Sequence, residues 1–226
     1  MVSAVGVSEP SPAEAAPFAA LRAHRLAPVV AIRDADAATG LAEALVAGGL
    51  PLIEITLRTE AAPAALKRAS AVAGLAVAAG TVTTPDQVKL AVDCGARLII
   101  SPGLNTRVVE YCLANDIPVL PGVCTPTEVE TARNYGLKTL KFFPAEAYGG
   151  VKTLKAFNDV FKDFGFVPTG GVNQQNLGDY LKLPIVMACG GSWMVPTDAI
   201  NERRFADIEK LVREAVALVK SLSSAI

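Results

Sequence analysis

The chain lacks a surplus of charge of either sign: 21 Lys and Arg stand against 22 Asp and Glu, for a formal net charge of −1. It is also poor in aromatics, with four Tyr, one Trp and eight Phe. Counter-charge for a phosphodiester backbone and platforms for stacked bases are both missing, which argues against nucleic-acid binding. No run of 18 apolar residues escapes a charge, a Gly or a Pro, so a membrane-spanning helix is not expected. The four cysteines, Cys94, Cys112, Cys124 and Cys189, lie far apart, and His24 is the sole imidazole. Neither a metal site nor a disulfide framework is suggested, and a reducing cytoplasm fits best.

What is there is a 226-residue chain that is 51% hydrophobic, too apolar for disorder and long enough for one substantial core. Residues 1–17 are rich in Ala, Ser, Val and Pro and lack the basic stretch of a signal peptide. They read as a poorly ordered lead-in to a first helix over 18–24, with one α/β domain over 18–226.

From residue 27 onward, short apolar runs alternate with helical patterns. The runs are 28–32, 52–57, 75–79, 97–100, 117–120, 139–143, 166–167 and 185–189, recurring at roughly the spacing of minimal βα units. Thr125-Pro126-Thr127-Glu128 has the form of a capping box with Pro at the first helical position, and Gly136 ends that helix. Thr84-Pro85-Asp86 opens another, a third is expected over 36–47, and a final amphipathic helix over 204–222 presents Ile208, Leu211, Ala215, Leu218 and Val219 on one face. Eight units suffice for a small (β/α)8 TIM barrel with an N-terminal helix. An open doubly wound sheet is the alternative, but no Gly-x-Gly-x-x-Gly follows the first run.

In such a barrel, chemistry sits at the C-terminal ends of the strands. The period of two in Leu52-Ile53-Glu54-Ile55-Thr56-Leu57-Arg58 puts Glu54, Thr56 and Arg58 on one side. Thr139-Leu140-Lys141-Phe142-Phe143-Pro144 places a lysine inside an apolar run, two residues before an aromatic on the same side. Glu54 with Arg58 also reads as a plain ion pair, and a strand lysine as an edge residue, although a central strand leaves a lysine no route to water.

Together a lysine and a carboxyl group suit carbonyl chemistry: a neutral amine attacks a ketone to give an iminium, and the carboxyl group shuttles protons. An ordinary lysine is neutral about once in 2,500 at pH 7. Desolvation and like charge raise that fraction, and Phe142, Phe143 and Arg58 are the neighbours expected to supply them.

The runs ending in Pro168-Thr169-Gly170-Gly171 and Cys189-Gly190-Gly191-Ser192 read as a phosphate cradle, since bare glycines let backbone N–H groups approach an anion. Tight turns are the other reading of those glycines. Thr81 is the best polar candidate among the remaining strand ends, while Arg33 reads equally as a ligand cation or a solvated loop residue.

These motifs, with Gly80-Thr81-Val82, Ile100-Ser101-Pro102-Gly103, Leu120-Pro121-Gly122-Val123, Lys141-Phe142-Phe143-Pro144-Ala145-Glu146 and Gly190-Gly191-Ser192-Trp193, resemble those of class I 2-keto-3-deoxy-6-phosphogluconate (KDPG) aldolases, including the bifunctional 4-hydroxy-2-oxoglutarate aldolases. The likeness covers residues 21–219. It implies that Lys141 forms the Schiff base, that Glu54 moves the protons, and that Arg58, Thr81 and the Pro102 region hold the carboxylate of the pyruvate half. It also implies that Gly170, Gly171, Gly191 and Ser192 hold the phosphate, with Phe143 and Thr169 completing the substrate set. The substrate implied is a phosphorylated 2-keto acid, split with no metal or organic cofactor by a homotrimer. The C4-epimeric galactonate, a related phosphate-binding barrel that isomerises or decarboxylates sugar phosphates, and a non-catalytic sugar-phosphate binder are the alternatives. Two departures from the family pattern are the extension over residues 1–17 and Tyr148, where a smaller polar residue is usual.

Overall fold

A parallel ladder is dictated by strands that are apolar on both faces, because helices must then cover one face while the other is enclosed. The computed structural model describes residues 12–223 and has this alternation. After α1 (Pro12–His24), strands β1 (Leu26–Val30), β2 (Leu52–Thr56), β3 (Ala76–Gly80) and β4 (Leu98–Ile100) are separated by α2 (Ala37–Ala47), α3 (Ala62–Ser70) and α4 (Pro85–Asp93). Then follow α5 (Thr106–Ala114), β5 (Val119–Leu120), β6 (Gly122–Val123), α6 (Pro126–Asn134) and β7 (Thr139–Phe142). The chain continues through α7 (Gly150–Val160), β8 (Gly165–Pro168), α8 (Leu177–Leu181), β9 (Cys189–Gly191), α9 (Thr197–Asn201) and α10 (Phe205–Ser223).

All pairings between strands are parallel. Six strands form one curled sheet in the order β5-β4-β3-β2-β1-β9, and three form a second in the order β6-β7-β8. Isolated parallel bridges pair Phe166 with Val186 and Thr169 with Gly190. The eight-stranded closed barrel expected from the run count is therefore seen as these two sheets.

The sheet faces carry different cores. Ile53, Ile55, Ile99, Leu140, Phe142 and Phe166 point outward into a large apolar layer with the helices. Leu52, Ala78, Leu98, Ile100, Leu120 and Val167 point inward to a smaller cluster, against which Leu21 of α1 is buried. Each full burial of a large apolar side chain contributes about 1.5–3 kcal/mol, so the outer layer carries most of the stability and the inner face has room for polar groups.

Local chemistry accounts for the helix ends. Thr125 and Glu128 form the capping box, Pro126 opens α6, and Gly136 follows at φ 75°. The Thr84 side chain accepts the Gln87 N–H at the start of α4. Asp36, in contrast, makes no cap bond at α2; its carboxylate pairs with Arg68.

Several boundaries differ from expectation. The first helix starts at Pro12 rather than at residue 18, because Pro suits the first helical position and the following stretch is Ala-rich. Residues 1–11 of the expected lead-in lie outside the described residues. β1 starts two residues early, since Leu26 pairs with Cys189, and β9 runs over Cys189–Gly191 instead of 185–189. The residues before Cys189 are apolar through burial rather than ladder pairing, Val186 making only an isolated bridge. The fifth run, 117–120, pairs only over β5, and Pro121, with no N–H to donate, separates it from β6, which lies beyond that run. On α10 the buried positions are Ile208, Val212, Ala215 and Val219, while Leu211 and Leu218 are half-buried. Val212 is drawn in because it packs on the bare Cα of Gly48.

Candidate active site

The inward face of β2 carries Leu52, Glu54 and Thr56 in alternation, and Glu54 stands in register with Ala78 of β3. On β7, Lys141 stands in register with Gly122 of β6 and Val167 of β8. Ala78 and Val167 both belong to the inner cluster, so Glu54 and Lys141 share the enclosed face although their strands are not neighbours. Across it, Lys141 Nζ donates to Glu54 Oε1 at 3.0 Å and lies 3.4 Å from Oε2. Both side chains are more than nine-tenths buried, at 7% and 4% exposure. A buried pair is worth keeping only where geometry repays desolvation, and this one gives a direct path for a proton between amine and carboxylate.

The neighbours of Lys141 differ in part from expectation. The Phe143 ring centroid is 5.4 Å from Nζ, within cation–π range. Phe142 faces the other way, packing edge-on to Phe157 of α7 at 6.0 Å, as strand alternation requires. Arg58 lies beyond the end of β2 and is exposed; its Nε donates to Thr56 Oγ1 at 3.0 Å, and that hydroxyl donates to the Val30 carbonyl at 2.8 Å. The hydroxyl thus anchors the root of the guanidinium, whose terminal nitrogens have no partner among the described residues and suit a carboxylate.

Thr81, directly after β3, adopts φ 58°, a left-handed conformation that is strained for a β-branched residue and typical of functional positions. Gly80 before it leaves the space that the Glu54 side chain fills. Past β4, the fully buried Ser101 donates from Oγ to the Gly103 carbonyl at 2.8 Å, shaping the turn that holds Pro102. The Pro102 carbonyl abuts Gly122, where any side chain would collide with it.

On the other flank, Gly170 and Gly171 have φ of 98° and 84°. Thr169 is buried and bridges Gly190, whose missing side chain makes room for the Thr169 hydroxyl. Gly191 closes β9 with Ser192 exposed beside it. The N–H groups of Gly170, Gly171 and Ser192 meet no acceptor among the described residues, as an anion cradle requires.

The structure thus puts Glu54 and Lys141 in contact, with Arg58, Thr81 and Pro102 at the ends of β2 to β4 and the two glycine loops at the ends of β8 and β9. Arg33 is exposed with no partner among the described residues. His24 lies near the other end of the sheet, where burial and then the Lys220 charge push its imidazole below the ordinary range. From the sequence, Gly80, Ser101 and Gly122 are only parts of strand-end motifs that suit an anionic ligand; the structure sets Gly80 before Thr81, Ser101 before Pro102 and Gly122 in register with Lys141. Two clefts of about 340 and 460 Å³ open at the N-terminal ends of the strands, lined in part by Lys138 and Gly165 and by Ala76 and Pro118 respectively, and include none of these site residues.

Comparison with known proteins places this arrangement in a family. The chain is 42% identical over 202 residues to the 2-dehydro-3-deoxy-phosphogluconate aldolase of Haemophilus influenzae, covering 88% of this chain and 95% of that protein. It is 44% identical over 190 residues to the KHG/KDPG aldolase of Escherichia coli K12, covering 84% and 89% respectively. The crystal structure of the KDPG aldolase of Legionella pneumophila, with pyruvate captured at low pH as a covalent carbinolamine intermediate, superposes with a TM-score of 0.85 at 40% identity over 88% of this chain and 97% of that one. With the KDPG and KHG aldolase profile matching residues 18–211, the chain belongs to that aldolase family.

Proposed function

We infer that this protein is a lysine Schiff-base aldolase that cleaves KDPG to pyruvate and glyceraldehyde 3-phosphate, as in the Entner–Doudoroff pathway. The observation that carries the reading is the buried contact between Lys141 and Glu54 at 3.0 Å. Once its proton passes to Glu54, Nζ attacks the C2 ketone, and loss of water through Glu54 leaves an iminium. The Glu54 carboxylate, restored by the loss of water, then takes the C4 hydroxyl proton as the C3–C4 bond breaks. The bond's electrons pass into the iminium to form an enamine, and the aldehyde leaves. Protonation at C3 and hydrolysis release pyruvate and restore Lys141. The electron sink is the iminium itself.

In this reading Arg58, Thr81 and the Pro102 turn hold the substrate carboxylate, Phe143 flanks the reacting carbons, and Thr169, Gly170, Gly171, Gly191 and Ser192 take the phosphate. The two sheets are one (β/α)8 barrel over residues 18–226, β5 and β6 counting as a single strand broken at Pro121. The Thr169–Gly190 and Phe166–Val186 bridges support its closure. The likeness to the KHG/KDPG aldolase of Escherichia coli supports a second substrate, 4-hydroxy-2-oxoglutarate, split to pyruvate and glyoxylate. The sequence resemblance supports a homotrimer, and four free cysteines suit the cytoplasm.

Borohydride reduction in the presence of pyruvate tests the assignment. A stable mass increase is expected on the peptide carrying Lys141 and not in Lys141→Met. Folded protein that gains no adduct would refute the Schiff-base reading.

A further inference from the structure

The Gly170-Gly171 loop is held by an interlocked pair of side-chain amides. Gly171 O accepts from Asn176 Nδ2 at 3.0 Å and from Asn173 Nδ2 at 3.2 Å. Asn176 Oδ1 in turn accepts the Asn173 N–H at 2.8 Å, and Asn173 Oδ1 accepts the N–H groups of Gln175 and Asn176 at 2.9 and 3.2 Å. Each amide oxygen is taken by a backbone donor, so only the NH2 ends can face the Gly171 carbonyl.

The two preceding carbonyls are also engaged. Thr169 O accepts from Ala145 N at 2.8 Å and Gly170 O from Glu146 N at 3.0 Å. In a planar trans peptide the N–H points opposite to the C=O. Three tied carbonyls therefore turn the N–H groups of Gly170, Gly171 and Val172 away from those donors. They also keep three partial negative charges from facing an anion. Left unpinned, two successive glycines at positive φ would be the most freely rotating part of the loop.

We propose that Asn173 and Asn176 are positioning residues of the anion cradle, fixing the Gly171 peptide so that the loop's N–H groups are set for a substrate phosphate before it arrives. This rests on the cradle assigned under the proposed function. Pre-set donors bind without paying for reorganisation, so the pair acts on phosphate recognition and leaves the chemistry at Lys141 alone.

Asn176→Ala and Asn173→Ala test this with two readouts: steady-state cleavage of KDPG, and the pyruvate concentration that half-saturates borohydride trapping at Lys141, which involves no phosphate. The expected result is a KM for KDPG raised tenfold or more, with kcat and the pyruvate half-saturation within twofold of wild type. An unchanged KM, or a parallel rise in the pyruvate value, would overturn the inference. Loss of folding in both variants by circular dichroism would overturn it too, since the pair would then hold the fold rather than the cradle. Gly171→Ala separates this from failure of the parent reading, because a side chain there meets Glu146 and is strained at φ 84°. If it raises the KM for KDPG and the asparagine variants do not, only the positioning role falls. If none of the three raises it, the cradle itself is misplaced.

Discussion

Gly80 and Glu54 share one volume: the carboxylate of Glu54 lies where Gly80 would carry a side chain, and an added Cβ would come within 2.7 Å of Glu54 Cγ and 2.8 Å of Cδ. The two residues sit on the paired strands β2 and β3, with Thr56 in register with Gly80. A bare α-carbon at the end of β3 is therefore part of what lets Glu54 reach Lys141.

Gly80→Ala is expected to fold and to lose turnover about a hundredfold, the scale associated with displacing a reacting group by about 1 Å. Kinetics beside a thermal melt check this. Wild-type kcat in the variant would show that Glu54 can give way without cost.

Glu54→Gln keeps an acceptor for Nζ and removes the ability to exchange a proton. A fall in kcat of about 10²–10⁴ is expected, the range for loss of a general acid–base group. Stability should change by only about 1–2 kcal/mol, because the amide oxygen still meets Nζ. Denaturant unfolding and steady-state kinetics on the same sample compare the two effects.

Thr81→Gly removes a left-handed conformation that costs a residue with a Cβ about 1–2 kcal/mol, while glycine returns about 0.5–1 kcal/mol of chain entropy to the unfolded state. Stability should hold or rise by up to about 1 kcal/mol as KM for the keto acid increases. A variant that loses stability with KM unchanged would make Thr81 a structural residue.

Asp163 predicts a pH dependence far from the site. Its carboxylate accepts from Lys138 at 2.6 Å and from Arg133 at 2.9 Å. Those two partners, Lys138 first, hold its pKa down at about 2 from an ordinary 3.8. A depressed carboxyl group stabilises the fold above its unfolded value and loses that contribution as pH falls through the folded one. Asp163→Asn should therefore lower Tm at pH 7, and the gap to wild type should close between pH 4 and pH 2. A gap independent of pH would mean that the substitution disturbs the stacking of Arg133 and Lys138 over the Phe164 ring and not the charge pairing.

The sequence alone determined the alternation of strands and helices, the capping at Thr84 and Thr125, the polar set on β2 and the lone lysine in β7, because these follow from residues a few positions apart. Motif likeness also reached the family. Only the tertiary structure decided that Lys141 and Glu54, 87 residues apart in the chain, meet at 3.0 Å, since that contact depends on how far the sheet curls and not on any local pattern. It likewise turned Phe142 outward, tied Arg58 to Thr56, moved β9 to the glycines by pairing it with β1, and gave Asn173 and Asn176 a carbonyl to hold. These outcomes depend on register and packing between distant segments, where the free energy belongs to the assembled fold rather than to any stretch of sequence.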